Sequence, residues 1–454
     1  MNKKIVERLW LVANKVRGAF EISELCKVMI YTLFFKYIEI KKKQDESDDV
    51  LSVYDERFSL GYLSLTYGRM VDAYNLANYV AEVERELGLE SNIVADEIRR
   101  LLEKADDDTV KIIFATVDQI GLESNEQLYD IAVMLMNKLA YTSGKMSGEA
   151  FSNVSLSKLE SRLLDCKEGM LVYDGFCGCG LSANEVADNK GTIYLQDMNV
   201  STLSLATVIT LLKGNKIGGI RCGDSQLNPL SDAKYDRIVC EPPFSMKYSN
   251  DYFITMPQGN CIYQGSLDSE SLALRHCLAH LKREGIAVVL VPMSFLFKSG
   301  RGAEIREKLV IDKYIDTVIE LPPGILPNTG VATALLVFKN NRPDDSIYLI
   351  NAKEFFVKVD RNQIVISDEN IDRIVELYQS RESVEGVSHN TSIEEIATNG
   401  FNLCTTQYVT LSPEDTITIE DTTVYVQKYE QLVGQLAEID KQLGAVRSRF
   451  TKEA

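Results

Sequence analysis

The stretch Ile238-Val239-Cys240-Glu241-Pro242-Pro243-Phe244 decides how this chain is interpreted. Its first three residues are apolar, as in a buried parallel strand. The two prolines have no N–H to donate to a sheet, so the chain must leave the sheet here. An acidic residue and an aromatic ring are therefore predicted at the carboxyl end of a strand, where α/β sheets bind ligands. Such a corner suits a flat base, because the ring can stack on it while oxygen atoms accept hydrogen bonds from its exocyclic amine.

The residues around this corner, from about 150 to 340, alternate strand and helix patterns. The predicted strands are Met170–Tyr173, Thr192–Leu195, Tyr235–Cys240, Ile286–Val291, Tyr314–Leu321 and Ala332–Phe338. Helical patterns fall between most of them, for instance at 181–188, 202–213 and 269–281. Strands that alternate with helices predict an α/β fold with a mostly parallel sheet and helices on both faces.

The remainder of the chain has a different pattern at each end. Residues 1–140 are predicted to be helical, with a strongly apolar stretch at 25–40. A glycine-containing loop at 144–148 marks a boundary. We predict an N-terminal helical domain (1–145), an α/β domain (146–385) and a C-terminal region (386–454).

The C-terminal region ends in a predicted long helix at about 424–450. Its apolar residues are spaced alternately by four and three, the heptad pattern of a coiled coil. They are Tyr425, Tyr429, Leu432, Leu436, Ile439, Leu443, Val446 and Phe450. The helix either packs on its own domain or meets another helix, and so regular an apolar face favours a contact with a partner or a second copy.

Bulk properties narrow the class of protein. Apolar residues make up 45% and charged residues 25%, which is typical of a soluble globular protein. The chain has no apolar run of the roughly 18 residues that span a bilayer, and nine cysteines occur without a Cys-x-x-Cys pair. We therefore expect a cytoplasmic protein with reduced thiols and no metal site. The net charge of −17 argues against wrapping DNA unaided, so a DNA substrate would require a more basic partner.

Polar and glycine motifs follow the successive predicted strands. The loop Asp174–Gly180 contains glycines that let the backbone approach a ligand, but it lacks the Gly-x-Gly-x-x-Gly spacing of dehydrogenases. Asp197 ends the second strand and suits ribose hydroxyls, or it is a turn residue or helix cap. Asp224 follows the third strand and suits an adenine amine, or it caps a turn. With Glu241 after the next strand, this order is that of an S-adenosylmethionine-dependent methyltransferase acting on an amino group.

Further blocks resemble the modification (M) subunit of type I restriction-modification systems, in the DNA adenine N6-methyltransferase family. They are Arg8–Trp10, Asn14–Gly18, Leu33–Ile38, Leu278–Lys282, Ala287–Pro292, Glu320–Gly324, Thr329–Thr333 and Asn399–Leu403. The resemblance implies a seven-stranded, Rossmann-like methyltransferase domain with an N-terminal all-α domain and a C-terminal coiled-coil-type helix. It implies S-adenosylmethionine as cofactor and DNA as substrate.

The resemblance also assigns roles and partners. It implies that Glu241, Pro242, Pro243 and Phe244 carry the chemistry. It implies that the cofactor is bound by Phe151, Ser152, Asp174, Gly178, Gly180, Asp197 and Asp224. The implied partners are a specificity subunit, contacted through the C-terminal helix, a second M subunit, and in some complexes a restriction subunit.

Four residues depart from the family pattern: Ala150, Asn153, Gly175 and Glu241. The family usually has proline where Gly175 stands, and asparagine or aspartate where Glu241 stands. One extra methylene moves the acceptor oxygens, and a shift of roughly 1 Å can cost on the order of 100-fold in rate. Two hypotheses follow: an active subunit that tolerates glutamate, and a catalytically silent paralogue that scaffolds a complex with an intact M subunit.

Overall fold

The computed structural model describes most of the chain. The described residues are 2–15, 21–44, 51–89, 91–142, 153–246, 268–327, 329–340, 342, 344–360, 363–409, 426–436 and 439.

The described residues among the first 142 form seven α-helices joined by turns and loops. The helices are α1 (Asn2–Lys15), α2 (Ile22–Gln44), α3 (Leu60–Thr66), α4 (Ala73–Glu86), α5 (Ile93–Leu102), α6 (Asp107–Asp118) and α7 (Asn125–Thr142). Helix α2 is buried all round from Leu25 to Ile40, which explains its unbroken apolar sequence. Asp72 and Asp106 cap α4 and α6 by accepting backbone N–H groups of the first turns. The predicted helical N-terminal region is confirmed.

The rest of the chain alternates strands and helices. The strands are β1 (Leu171–Asp174), β2 (Thr192–Asp197), β3 (Lys216–Cys222), β4 (Tyr235–Cys240), β5 (Leu281–Pro292), β6 (Ile315–Glu320), β7 (Thr333–Lys339), β8 (Ser346–Asn351), β9 (Val357–Asp360), β10 (Gln363–Val365) and β11 (Ser388–Ser392). The helices are α8 (Val154–Leu164), α9 (Leu181–Ala187), α10 (Val200–Lys213), α11 (Ser269–His280), α12 (Arg301–Ile311), α13 (Asp368–Ser380) and α14 (Ile393–Thr398).

Nine strands form one sheet in the order β11-β8-β6-β7-β5-β4-β1-β2-β3. Strands β1 to β5 are parallel to their neighbours in this series, whereas β7 is antiparallel to both β5 and β6. The predicted α/β fold with a mostly parallel sheet is confirmed, and β8 and β11 add two strands to the seven that we expected. The order reverses at β1, which has β2 on one side and β4 on the other. This switch point is where open α/β sheets bind ligands.

Helix α10 joins the helical region to the sheet. Its residues Leu205, Val208 and Ile209 belong to the same buried apolar cluster as the N-terminal helices. Two hydrogen bonds reinforce this contact: Tyr31 Oη donates to Ser204 Oγ at 2.9 Å, and Lys27 Nζ donates to Ser201 Oγ at 2.8 Å. The helical region is thus fixed against the half of the sheet that carries β2 and β3.

The C-terminal region is described only in part. Residues 393–398 and 405–407 pack near the sheet, and the buried Glu320 carboxylate accepts from the Thr405 N–H at 2.8 Å. Residues 426–436 are helical, and the large apolar side chains there are exposed. These include the heptad positions Tyr429, Leu432 and Leu436, and the next heptad position, Ile439, is exposed as well. Tyr425, Leu443, Val446 and Phe450 lie outside the described residues, as does the predicted boundary at 145. The domain boundaries stay predictions, and β11 shows that residues beyond 385 contribute to the sheet.

Within the described residues, no helix combines the length and the apolar character that a membrane crossing requires.

Candidate active site

Three acidic residues of the predicted site lie at the tips of strands next to the switch point. Asp174 is the last residue of β1, Asp197 the last of β2, and Glu241 follows β4 directly. The Asp174 carboxyl is buried, and its pKa is raised well above the usual range by burial first and then by the negative charges of Glu241 and Asp197. The fold therefore gathers these three predicted residues at one edge of the sheet.

The glycine loop between β1 and α9 is shaped by close contacts that only glycine permits. Gly178 and Gly180 have φ values of 49° and 75°, in the left-handed region. A Cβ atom on Gly180 would lie 2.9 Å from the Cβ of Ala206 in α10. The Asp174 carboxylate holds the start of the loop by accepting from the Phe176 N–H at 3.0 Å. The loop thus forms a backbone cradle at the beginning of α9.

Gly175, one of the departures from the family pattern, has close neighbours of its own. A Cβ atom there would lie 2.7 Å from the Tyr173 hydroxyl and 3.2 Å from Nε2 of His276. The Tyr173 hydroxyl and His276 Nε2 are themselves 2.9 Å apart and buried. This pair occupies the space that a larger residue at position 175 would need. The packing of Tyr173 and His276 therefore explains why this chain has glycine there.

Asp197 connects three of the predicted segments. Its Oδ2 accepts from the Gly178 N–H at 2.8 Å, and its Oδ1 accepts from the Asn199 N–H at 2.8 Å. Its carbonyl oxygen accepts from the Gly223 N–H at 2.9 Å. Asp197 therefore links the glycine loop to the segment that precedes Asp224.

Asp224 makes the contacts expected from the alternative interpretation, in which it caps a turn. Its Oδ1 accepts from the N–H of Gln226 at 2.9 Å and from that of Leu227 at 3.4 Å. This is the geometry of an aspartate that caps a turn. A role in binding adenine stays a prediction for this residue.

The Glu241 side chain makes a short hydrogen bond that the sequence did not predict. Ser182, in the first turn of α9, donates its hydroxyl to Oε1 of Glu241 at 2.6 Å. The Ser182 hydroxyl is in turn 2.8 Å from the hydroxyl of Ser157 on α8. The longer side chain at position 241 is thus attached to the helix that follows the glycine loop.

A second acid lies behind this contact. Glu160 is completely buried on α8, and neither of its carboxyl oxygens has a hydrogen-bond partner in the described part of the chain. Ser182 lies near both acids, but its short hydrogen bond is to Glu241. Burial, then the negative charge of Glu241, raises the pKa of Glu160 well above its usual range, which favours the neutral acid.

The segment directly after the Glu241-Pro242-Pro243-Phe244 corner is hydrogen-bonded to the first turn of α11. The Ser245 N–H donates to Oε1 of the buried Glu270 at 2.8 Å, and the Met246 N–H donates to Ser269 Oγ at 3.1 Å. Ser245 has φ 57°, an uncommon conformation for a residue with a side chain. Phe244 is half-buried against the apolar core, and Pro242 is buried. These contacts fix the path of the chain directly after Pro243.

Sequence reasoning missed Ser157, Glu160, Ser182 and Glu270. One signal was available for Glu160, because it stands among Leu156, Leu159 and Leu163 on the apolar side of an amphipathic helix. Ser182 gave no such signal, since its contact joins residues 59 positions apart.

Phe151 and Ser152 lie outside the described residues, so their assignment to the cofactor stays a prediction; Ala150 lies outside as well. Asn153 is described and caps α8: its Oδ1 accepts from the Ser155 N–H at 2.9 Å, and its Nδ2 donates to the carbonyl oxygen of Ile325 at 2.9 Å. This departure from the family pattern therefore has a structural role.

Comparisons with known proteins agree with this architecture. The pattern of the N-6 DNA Methylase family matches residues 123–416, and the chain belongs to this family. It is 26% identical to the type I restriction enzyme MjaVIII methylase subunit of Methanocaldococcus jannaschii, over 91% of this chain and 81% of that protein. It is 25% identical to the MpnII methylase subunit of Mycoplasma pneumoniae, over 73% of this chain and 64% of that protein.

A solved structure has the same fold. The methyltransferase subunit of a type I restriction-modification system from Streptococcus thermophilus superimposes with a TM-score of 0.75 at 22% identity, covering 91% of this chain and 100% of that one. The resemblance to type I M subunits that the sequence blocks indicated is confirmed.

Proposed function

We propose that this chain is the catalytic M subunit of a type I DNA methyltransferase complex and transfers a methyl group from S-adenosylmethionine to the exocyclic amine of adenine. The observation that carries the proposal is the position of Glu241, directly after β4 and beside the neighbouring strand β1. This position places an acceptor group at the tip of β4, next to the glycine loop of β1. Family membership supplies the reaction type, and the position of Glu241 supplies the residue that orients the amine.

The residues around the loop fit the proposed cofactor. Gly180 lets the loop pack closely on α10, since a Cβ atom there would lie 2.9 Å from the Cβ of Ala206, and the Gly178 N–H donates to Asp197 and so fixes the path of the loop. We assign the methionine part to Asp174, Gly178 and Gly180, the ribose to Asp197 and the adenine to Asp224. Each oxygen of Asp197 already accepts one strong hydrogen bond, and a carboxylate oxygen has a second lone pair for a ribose hydroxyl. The cofactor, when bound, supplies an electrophilic methyl group.

The corner residues would orient the base that accepts this methyl group. In the proposed arrangement Glu241 accepts one N–H of the adenine amine and the Pro242 carbonyl accepts the other. These two hydrogen bonds direct the nitrogen lone pair towards the methyl group without prior removal of a proton. Phe244 stacks on the base, which must leave the DNA duplex to reach the corner.

The silent paralogue remains the second candidate, and one contact favours it. Oε1 of Glu241 is already occupied by the Ser182 hydroxyl, so this oxygen is less available to an adenine amine than a free carboxylate would be. Under this hypothesis the chain keeps the fold and scaffolds a complex in which another M subunit carries the chemistry.

We also propose the partners of the chain. The net charge of −17 is unsuited to holding DNA alone, so a specificity subunit would supply much of the contact with DNA and the choice of target. The exposed apolar residues of the helix at 426–436 suit a contact with helices of that subunit. A second M subunit, identical or intact, and a restriction subunit are the further proposed members of the complex.

The proposed reaction is tested by its product. The chain, assembled with its specificity subunit, is incubated with DNA and S-adenosylmethionine, and the DNA is then digested to nucleosides. We expect N6-methyladenine to accumulate in proportion to the complex. A complex that binds DNA and S-adenosylmethionine but forms no methylated adenine would contradict catalysis by this chain.

A further inference from the structure

The departure at position 241 is accompanied by an arrangement of polar residues on two neighbouring helices. Ser157 and Glu160 lie three residues apart in α8 and so project from the same side of the helix. Ser182 lies in the first turn of α9, and its hydroxyl is 2.8 Å from that of Ser157. All three residues are buried.

The hydrogen-bond directions in this arrangement lead towards Glu241. The Ser182 hydroxyl has one proton, and it is donated to Glu241 Oε1 at 2.6 Å. Ser157 contacts Ser182 at 2.8 Å and lies 3.4 Å from the Asn153 carbonyl oxygen. Because the Ser182 proton goes to Glu241, Ser157 is the donor in its 2.8 Å contact with Ser182, in place of its longer bond to the Asn153 carbonyl oxygen, and so supports the donation to the carboxylate. A charge-assisted hydrogen bond of this length is among the stronger ones in proteins.

We infer that Ser182 is a positioning residue that sets the Glu241 carboxylate at the tip of β4 and so makes glutamate usable in place of the shorter family residues. This inference rests on the proposed function, in which Glu241 orients the adenine amine. Ser182 does not itself contact the base in this scheme. It acts by holding one oxygen of Glu241 against α9, which takes up the extra length of the side chain.

The surroundings of Glu160 agree with this role. A second ionised carboxylate beside Ser182 would compete for the same proton and repel Glu241. Burial and the charge of Glu241 raise the pKa of Glu160 well above its usual range, which favours the neutral acid. One negative charge instead of two then faces the Ser182 hydroxyl.

The test compares Ser182→Ala in two backgrounds, the native chain and Glu241→Asn, each assembled with the specificity subunit. Asparagine is one methylene shorter, so its amide does not extend to Ser182 in the same way. In the native background we expect Ser182→Ala to lower kcat for methyl transfer by about 10- to 100-fold with KM for DNA little changed. In the Glu241→Asn background we expect a change of less than about 3-fold.

A second measurement does not depend on activity. Thermal unfolding of the full chain is recorded for the same four proteins, and Ser182→Ala should lower the unfolding temperature by about 2–4 °C more in the native background than in Glu241→Asn. Ser204→Ala is the matched control, because it removes an equally buried serine hydroxyl that accepts from Tyr31 instead of contacting Glu241. It should have the same effect in both backgrounds.

The outcomes separate this inference from the proposed function. Coupling between Ser182 and Glu241 in unfolding, together with an inactive native complex, would show that Ser182 holds the carboxylate but would contradict both catalysis by the native chain and the inference that this contact makes glutamate usable. Equal effects of Ser182→Ala in both backgrounds, in unfolding and in kcat, would overturn the positioning role even if the native complex is fully active.

Discussion

The backbone N–H of Gly178 donates to Oδ2 of Asp197 at 2.8 Å, so the tip of β2 holds the glycine loop that follows β1. The glycine loop, assigned to the methionine part of the cofactor, and the tip of β2, assigned to its ribose, are therefore connected by a single carboxylate. A change at Asp197 should alter the loop and the ribose contact together.

We expect Asp197→Ala to weaken the binding of S-adenosylmethionine by about 10- to 100-fold, because a hydrogen bond to a charged group is worth about 1.5–3 kcal/mol. Isothermal titration calorimetry measures this directly. Asp188→Ala, which removes a half-exposed carboxylate beyond the other end of α9, is the control and should bind the cofactor as the native chain does. Unchanged affinity in Asp197→Ala would contradict the ribose assignment.

Gly180 tests the shape of the loop. Gly180→Ala places a side chain in a left-handed conformation and brings its Cβ to 2.9 Å from that of Ala206. We expect destabilisation by about 1–3 kcal/mol, measured by denaturant unfolding, and loss of cofactor binding. Gly330→Ala is the matched control, since its Cβ meets nothing within 4 Å and its φ lies outside the left-handed region. Equal stability of the two variants would show that the loop accommodates a side chain at position 180 and would contradict the predicted steric clash with Ala206.

The buried acid Glu160 predicts a dependence of stability on pH. Its pKa is raised in the folded protein by burial and by Glu241, whereas the unfolded chain has the usual pKa of about 4.3. The folded state therefore holds the proton more tightly. The stability contributed by this group is fully present below about pH 4 and is lost as the pH rises through the folded pKa.

Glutamine cannot ionise, so Glu160→Gln should raise the unfolding temperature relative to the native chain, and more at about pH 8 than at about pH 5. Scanning calorimetry across this range measures the difference. The exposed Glu168→Gln control should show no such trend. A Glu160→Gln variant that is equally destabilised at every pH would mean that Glu160 serves as an ionised group in the folded protein.

The C-terminal helix should be required for assembly and not for the fold of the sheet. We expect a chain truncated before Tyr425 to unfold at the native temperature but to fail to co-elute with the specificity subunit in size-exclusion chromatography. The double variant Leu432→Ser, Leu436→Ser should behave in the same way, because both side chains are exposed and apolar. Gln435→Ser is the control on the same helix and should co-elute with the specificity subunit as the native chain does. Co-elution of the truncated chain would refute the role of this helix in assembly.

The sequence was sufficient for the parts of the fold that local patterns specify. Long apolar strands such as β5 and β7 and the alternation around them predicted the sheet. Strand β11 has the polar sequence Ser-His-Asn-Thr-Ser and lies at an edge, so no apolar pattern revealed it. Its pairing with β8 depends on contacts distant in the chain.

The candidate site also has some residues that local sequence patterns reveal and others that depend on contacts between segments distant in the chain. Asp174, Asp197 and Glu241 were predicted because each follows a recognisable strand. The partner of Glu241 was not, since Ser182 meets it only when α9 packs beside β4. Asp224 shows a further limit: a sequence cannot separate an aspartate that caps a turn from one that also binds a ligand, and the turn contacts emerge only in three dimensions.

The most direct test of the central claim is methyl transfer by the complex of the native chain and its specificity subunit, with no other M subunit present, measured with labelled S-adenosylmethionine beside the Glu241→Asn variant. We predict that the native complex methylates adenine at a rate within about 10-fold of the variant, since Ser182 takes up the extra length of Glu241. A native complex without transfer, together with an active Glu241→Asn complex, would contradict the claim and identify the chain as a silent partner of another M subunit.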